Sequence, residues 1–205
     1  MSFVATWMKT LISPSEDCES LIRNWGFTIY RTGYGPSSDQ QWQDLLQKIQ
    51  THAYKNALRM TGATEDDAGF QEIWSLFRMD ARSDAALAGL DMDQLRQRYN
   101  NGDGGPPMNK DHRSHHVFLV ADDEVLSSVD AATTTTIKCV DADYQAADHI
   151  PRNWRLSTQR YFGWMPMLAS CVAELWVELG FFPLQKIAPA TIGGSHLEVW
   201  DAINL

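Results

Sequence analysis

The chain has 205 residues, 44% hydrophobic and 21% charged, enough apolar material for one large domain with a substantial core. Its 17 basic residues are scattered among 26 acidic ones, for a formal charge of −9. That balance argues against a nucleic-acid or anionic-membrane surface, either of which needs clustered Lys and Arg. Cys18, Cys139 and Cys171 lie far apart, which excludes a CxxC zinc or redox motif and gives no secreted disulfide framework.

The amino end, MSFVATWMKTLISPSE, has one basic residue and no clean apolar core, so no signal peptide is expected. No run reaches the roughly 18 apolar residues of a membrane span. A cytoplasmic protein is the expectation. Residues 1–24 read as an N-terminal arm. Trp7, Met8, Leu11 and Ile12 share helical spacing until Pro14, and Ser15 with Cys18 or Glu19 starts a second turn carrying Leu21 and Ile22. The arm is expected to pack over the domain; the alternative is dimerisation, giving a homodimer. Residues 25–205 then form one domain.

Residues 25–32, W-G-F-T-I-Y-R-T, are dense in aromatic and β-branched side chains and read as the founding strand. Trp25, Phe27 and Ile29 point one way, and Thr28, Tyr30 and Thr32 the other. After the turn-like G-Y-G-P-S-S, Ser38 reads as an N-cap with Gln41 at N3. A helix over about 39–60 follows, with Trp42, Leu45, Leu46, Ile49, Ala53, Ala57 and Met60 on one side and Gly62 as its stop. Residues 72–79, E-I-W-S-L-F-R-M, are read as the next strand, although Ile73, Leu76 and Phe77 also have helical spacing. Asp91 with Gln94 at N3 predicts a capped short helix over 90–99.

N-N-G-D-G-G-P-P at 100–107 is the strongest loop signal, and residues 100–114 are expected to form a flexible loop of the kind that serves as a lid. Residues 115–121, H-H-V-F-L-V-A, read as a buried strand that ends at Asp122, Asp123 and Glu124. A short helix with Val125, Leu126 and Val129 comes next, then a strand over 133–140 ending at Asp141 and Asp143. Beyond an irregular segment, a long helix is predicted over 166–179, stopped by Gly180 and Pro183. A short terminal strand is expected at 196–200. The element order suggests an α+β layered sandwich, an elaborated ferredoxin-like fold with a largely antiparallel sheet.

The string W-G-F-T-I-Y-R-T-x-Y-G followed by S-D-Q-Q-W-Q-x-L-L resembles the opening of a group of filamentous-fungal proteins, where a W-G-F-x-I-Y-R strand also precedes an acidic, Trp-containing helix. The likeness continues through residues 90–99, the Val-Asp-Ala-Asp segment 140–143 and residues 163–165. It implies a fungal origin and carries no activity, cofactor or site residue.

The densest chemical cluster is Asp111, His112, His115 and His116. The spacing lacks the Glu of H-E-x-x-H and no cysteine is near, so no metal is expected. Acid–base use of His115 or His116 is the functional expectation, because imidazole titrates in the working range. Asp122, Asp123 and Glu124 should lie at the opposite end of the sheet from Asp141 and Asp143, and are expected to be solvated corners. Tyr30, Arg31 and Tyr34 bring a guanidinium beside two phenols, suited to holding a carboxylate or enolate. His149, Arg152, Trp154 and Arg155 form a second aromatic and cationic edge. G-G-S-H at 193–196 is not the G-x-S-x-G elbow. No Walker A loop or G-x-G-x-x-G is present, and no cofactor is expected.

The leading expectation is therefore a cofactor-independent small-molecule enzyme, an isomerase, cyclase or lyase, with an aromatic-lined pocket. Several of the eight Trp would line that pocket or an interface, and His115, His116, Tyr30, Arg31 and Tyr34 are the candidate catalytic residues. A non-catalytic ligand-binding or interaction module is the first alternative and a metal-dependent enzyme the second.

Overall fold

The computed structural model describes residues 7, 11–13, 21–131, 134–151, 153, 161–192 and 194–202. Two short strands, β1 (Ile12–Ser13) and β2 (Leu21–Ile22), pair antiparallel within the arm. Met8, Pro14, Ser15, Cys18 and Glu19 lie outside the described residues. The founding strand β3 (Trp25–Arg31) leads through α1 (Ser38–Thr61) and α2 (Ala68–Ser75) to β4 (Phe77–Arg82). Next come α3 (Met92–Asn101), β5 (Val117–Ala121), α4 (Asp123–Ala131), β6 (Thr136–Asp141), β7 (Trp164–Leu168), α5 (Val172–Leu179) and α6 (Leu184–Ile187). A two-residue ladder of β8 (Thr191–Ile192) and β9 (Ser195–His196) follows, and Trp200 bridges the outer edge of β7 at Met167.

The protein is α+β, with one five-stranded sheet of order β4-β3-β5-β6-β7 packed against helices. The sheet is mixed rather than largely antiparallel. β3 runs parallel to both β4 and β5, while β5, β6 and β7 form an antiparallel meander. The cause is helical: α1 with α2 returns the chain to start β4 beside β3, and α3 returns it again to start β5 on the other side. Two crossovers around one central strand replace the ferredoxin-like order that the sequence suggested.

The elements themselves differ from the sequence reading at residues 68–76. Asp67 accepts from the Phe70 N–H as an N-cap, and Phe70 and Ile73 are buried three residues apart, so 68–75 is a helix. The strand begins only at Phe77. Likewise, the first part of the helix predicted over 166–179 is β7, and α5 proper starts at Val172. α1 runs nearly as expected, ending at Gly62 in the left-handed region. The Ser38 capping box does not form, however: Ser37 takes the N-cap position at φ 66°, Ser38 is already the first helical residue, and its Oγ accepts from Arg31 at 2.7 Å. The Asp91–Gln94 capping box does form.

The two faces of β3 seed two cores. Trp25, Phe27 and Ile29 join Leu45, Ile49, Leu119, Ile137, Met165 and Leu175 beneath α1, α4 and α5. Tyr30 joins Phe118, Val120, Val140, Leu95 and Tyr99 beneath α3. Trp25 is the hub of the first core: its ring lies 4.9 Å from Trp7, 4.6 Å from Phe77 and 6.2 Å from Trp176, and its Nε1–H donates to Ile73 O at 2.7 Å. Gly26 beside it adopts φ 120°, and a Cβ there would lie 1.9 Å from the carbonyl oxygen of Arg78 on the neighbouring strand, so only glycine fits. The abundant tryptophans are therefore mainly core; Trp7, Trp25, Trp42, Trp176 and Trp200 are all buried. Among the described residues no helix is long and apolar enough to cross a membrane.

Replacing Trp25 by Ala should cost about 3–5 kcal/mol of unfolding free energy. Trp25→Phe should cost less, since it keeps an aromatic ring in the core while losing the bond to Ile73 and part of the indole's packing. Urea denaturation followed by circular dichroism measures both.

Candidate functional site

The His115–His116 end of the molecule is built by three pieces of backbone that α3 holds together. Arg96, buried on α3, donates from Nε to Asp141 O at 2.9 Å and from a terminal nitrogen to Gly163 O at 2.9 Å, joining the end of β6 to the start of β7. Asp93 one turn earlier receives another of its N–H groups, and the Tyr144 ring lies 4.9 Å below the guanidinium. These contacts offset the cost of burying the charge. Tyr144 also packs against Gly163, where φ is 74° and a Cβ would fall 2.1 Å from Tyr144 Cγ. Asp141 in turn accepts from the Asp143 N–H and from Tyr161 O–H, so the 141–144 turn is fixed from both sides. Burial, reinforced by the Asp141 carboxylate, raises the Tyr161 phenol well above its ordinary pKa and keeps it a donor.

The fixed turn brings Asp143 to His116. Its Oδ2 lies 2.8 Å from His116 Nδ1, and Ala142 N–H donates to His116 O at 3.0 Å. The Tyr99 ring meets His116 edge-on at 5.2 Å. No described residue bonds His116 Nε2. His116 and Asp143 line a cavity of about 370 Å³. Leu179, Phe181, Phe182 and Leu184 at the end of α5 form its apolar wall, and Arg113 brings a cation to it. Phe181 and Phe182 are 69% and 46% exposed, large apolar side chains left uncovered at the mouth.

His115 is placed differently. It is buried, its Nε2 donates to Trp176 O at 2.8 Å, and its Nδ1 lies 2.9 Å from Ser114 Oγ and 3.1 Å from His112 Nδ1. Burial, with His112 adjacent, pushes its pKa down to about 3. It is a neutral structural imidazole tying the 3₁₀ turn Arg113–His115 to α5. The strand expected from residue 115 starts at Val117, so His115 and His116 are separated by this turn rather than by strand alternation.

Tyr30, Arg31 and Tyr34 sit elsewhere. Arg31 ends β3 opposite Ala121, the last residue of β5, whereas His116 precedes the first, so the two groups occupy opposite ends of the sheet. The Arg31 guanidinium is engaged by Gly33 O, Ser83 Oγ, Ser38 Oγ and Asp39, and lies 4.4 Å above the Tyr34 ring. It fastens the start of α1 to β3 and β4. Tyr34 O–H donates to Asp84 O. The Tyr30 ring meets Phe118 at 5.4 Å, which stacks on Tyr99 at 5.2 Å, so an aromatic row runs under α3 from Tyr30 to His116.

The acidic corners stay apart. Lys138 binds Asp122 and Glu124 at one end of β6, while Asp141 and Asp143 occupy the other. Among the described residues no group of His, Cys, Asp and Glu could hold a metal ion. His149 stacks on Tyr144 at 5.0 Å; Arg152, Trp154 and Arg155 lie outside the described residues. His196 packs on Trp164 at 4.2 Å.

Sequence reading missed Arg96, Arg113 and the Phe181–Phe182 pair. The last had a signal: two adjacent aromatics between Gly180 and Pro183 cannot both be buried in a tight turn. No protein-family model, curated protein or solved structure matches the chain.

The depressed pKa of His115 makes stability depend on pH. The folded state resists the proton that the unfolded imidazole takes up near pH 6.5, so stability is full above that value and is lost as pH falls toward 3. The slope approaches about 1.4 kcal/mol per pH unit. His112, whose pKa burial and Arg23 also lower, adds to it. Urea titrations between pH 5 and 7 should show this slope, and His115→Gln should flatten it.

Proposed function

We propose that the chain is an acid–base enzyme acting on a small molecule with an apolar body and an anionic group. The reaction is proton transfer at carbon, as in an isomerase, cyclase or lyase. The observation that carries this reading is the 2.8 Å contact of His116 Nδ1 with Asp143 inside a cavity walled by Phe181, Phe182 and Leu184. Asp143 accepts the Nδ1 proton and fixes the ring, leaving Nε2 as the basic nitrogen. When Nε2 takes a proton from substrate, the carboxylate stabilises the imidazolium. Arg113, which makes no ion pair among the described residues, holds the anionic group and the negative charge that develops beside it. His115, held neutral and internally bonded, is the poorer base, so the acid–base role falls to His116.

A second reading, a binding module without turnover, is favoured by the exposure of Phe181 and Phe182, which fits capture of an apolar ligand. One experiment separates the two. A panel of small carboxylic acids and keto acids is incubated with the protein in D₂O, with binding followed by saturation-transfer NMR and deuterium wash-in at carbon by proton NMR. The enzyme reading expects wash-in for at least one binder, reduced about 10²–10⁴-fold by His116→Gln and less by Asp143→Asn, with binding retained. Binders that exchange no faster with the wild-type chain than with His116→Gln would leave the binding module.

A further inference from the structure

A second cavity, also about 370 Å³, opens on the other side of the 112–116 turn. It is polar where the first is apolar. Arg23 and Lys110 bring two positive charges to its lining, Asn24 an amide and His112 an imidazole, against the single carboxylate of Asp111. On a chain of formal charge −9 this is a local reversal of sign, the condition under which an anion is drawn to a concave site.

The loop that carries Lys110 and His112 is fastened to the sheet. Met108 N–H donates to Thr28 Oγ1 at 2.8 Å and Asn109 Nδ2 to Gly26 O at 2.7 Å, both on β3, while Tyr99 O–H donates to Met108 O. Met108 and Asn109 thus tie this part of the 100–114 loop to the founding strand. Asn109 adopts φ 65° to make this turn, a conformation that asparagine tolerates better than most side chains. Lys110 is exposed and makes no ion pair among the described residues.

His112 is oriented by its neighbours. Because His115 spends its Nε2 proton on Trp176 O, His115 Nδ1 carries a lone pair, and it faces His112 Nδ1 at 3.1 Å. A proton on His112 Nδ1 avoids two opposed lone pairs and makes that contact a hydrogen bond. His112 Nε2 then carries a lone pair, an acceptor that bonds no anionic oxygen, so holding an anion falls to the cationic and amide groups of the lining.

We propose that this cavity is a binding site for a compact dianion, a phosphate monoester or a small dicarboxylate, gripped by Lys110 and Arg23 with the Asn24 amide as a further contact. It is separate from the His116 cavity and does not rest on the acid–base reading. The test titrates inorganic phosphate, glycerol phosphate and succinate into the full chain at low salt, followed by ¹H–¹⁵N NMR. At least one should saturate with shifts centred on residues 108–112, and Lys110→Gln should weaken it about tenfold or more, whereas Lys55→Gln on the exposed side of α1 should leave it unchanged. Saturation by the two phosphates alone or by succinate alone identifies the class. Failure of all three to saturate by about 10 mM, far weaker than a built site gives, would overturn the proposal. So would equal weakening by Lys110→Gln and Lys55→Gln, the mark of diffuse surface charge. A thermal melt of Lys110→Gln matching wild type shows that the fold is intact.

Discussion

Arg96 is the interaction on which the candidate site depends. It is a buried cation with no carboxylate partner inside the core, satisfied instead by two main-chain carbonyls, by Asp93 at its own helix start and by an aromatic face. Removing the guanidinium would leave the carbonyls of Asp141 and Gly163 without their donor, at a cost on the order of 1–3 kcal/mol each where they are buried. The geometric consequence matters more. Arg96 sets the 141–144 turn against the start of β7, and that turn is what brings Asp143 to His116. A residue on one side of the sheet thus decides the chemistry at its end without touching the cavity.

The same logic explains why the two ends of the sheet differ. At the carboxyl ends of β3 and β4, where open α/β sheets commonly bind ligands, Arg31 is saturated by Gly33, Ser38, Asp39 and Ser83 and serves as a fastener for α1. At the other end, Arg113 has no ion-pair partner among the described residues, His116 has an oriented nitrogen, and two phenylalanines stand open. The candidate sites lie where polar groups are left incompletely satisfied among the described residues. The histidine segment 112–116 is divided by one 3₁₀ turn into three roles: His115 a buried strut, His116 toward the apolar cavity and His112 toward the polar one.

Much of the fold was legible in the residues themselves. The alternation of β3 predicted both cores, since Trp25, Phe27 and Ile29 went to one face and Tyr30 to the other. α1 was readable from its apolar spacing and Gly62, and the start of α3 from Asp91 and Gln94. What misled was short aromatic-rich sequence: residues 72–79 combine a helix end with a strand start, and the dense W-S-L-F suggested one strand. The parallel pairings were missed for a different reason: both crossover helices, 39–60 and 90–99, were legible, but nothing in the residues says on which side of β3 each returning strand docks. Around the site, His116 and Asp143 were visible as residue types, but their meeting was not. It rests on β5–β6 register and on Arg96, which reads in sequence as an ordinary exposed helix arginine. The stretches 90–99, 140–143 and 163–165, far apart in sequence, meet at Arg96 in space.

The central claim is that Asp143 holds His116 in one tautomer, with Nδ1 protonated and Nε2 bare. Long-range ¹H–¹⁵N NMR of the imidazole ring measures this without knowledge of the substrate. For the neutral ring, the account predicts Nδ1–H in the wild-type chain, reverting to the mixture of a free imidazole in Asp143→Asn and in Arg96→Gln. A His116 ring already averaging between tautomers in the wild-type chain, or fixed as Nε2–H, would contradict it.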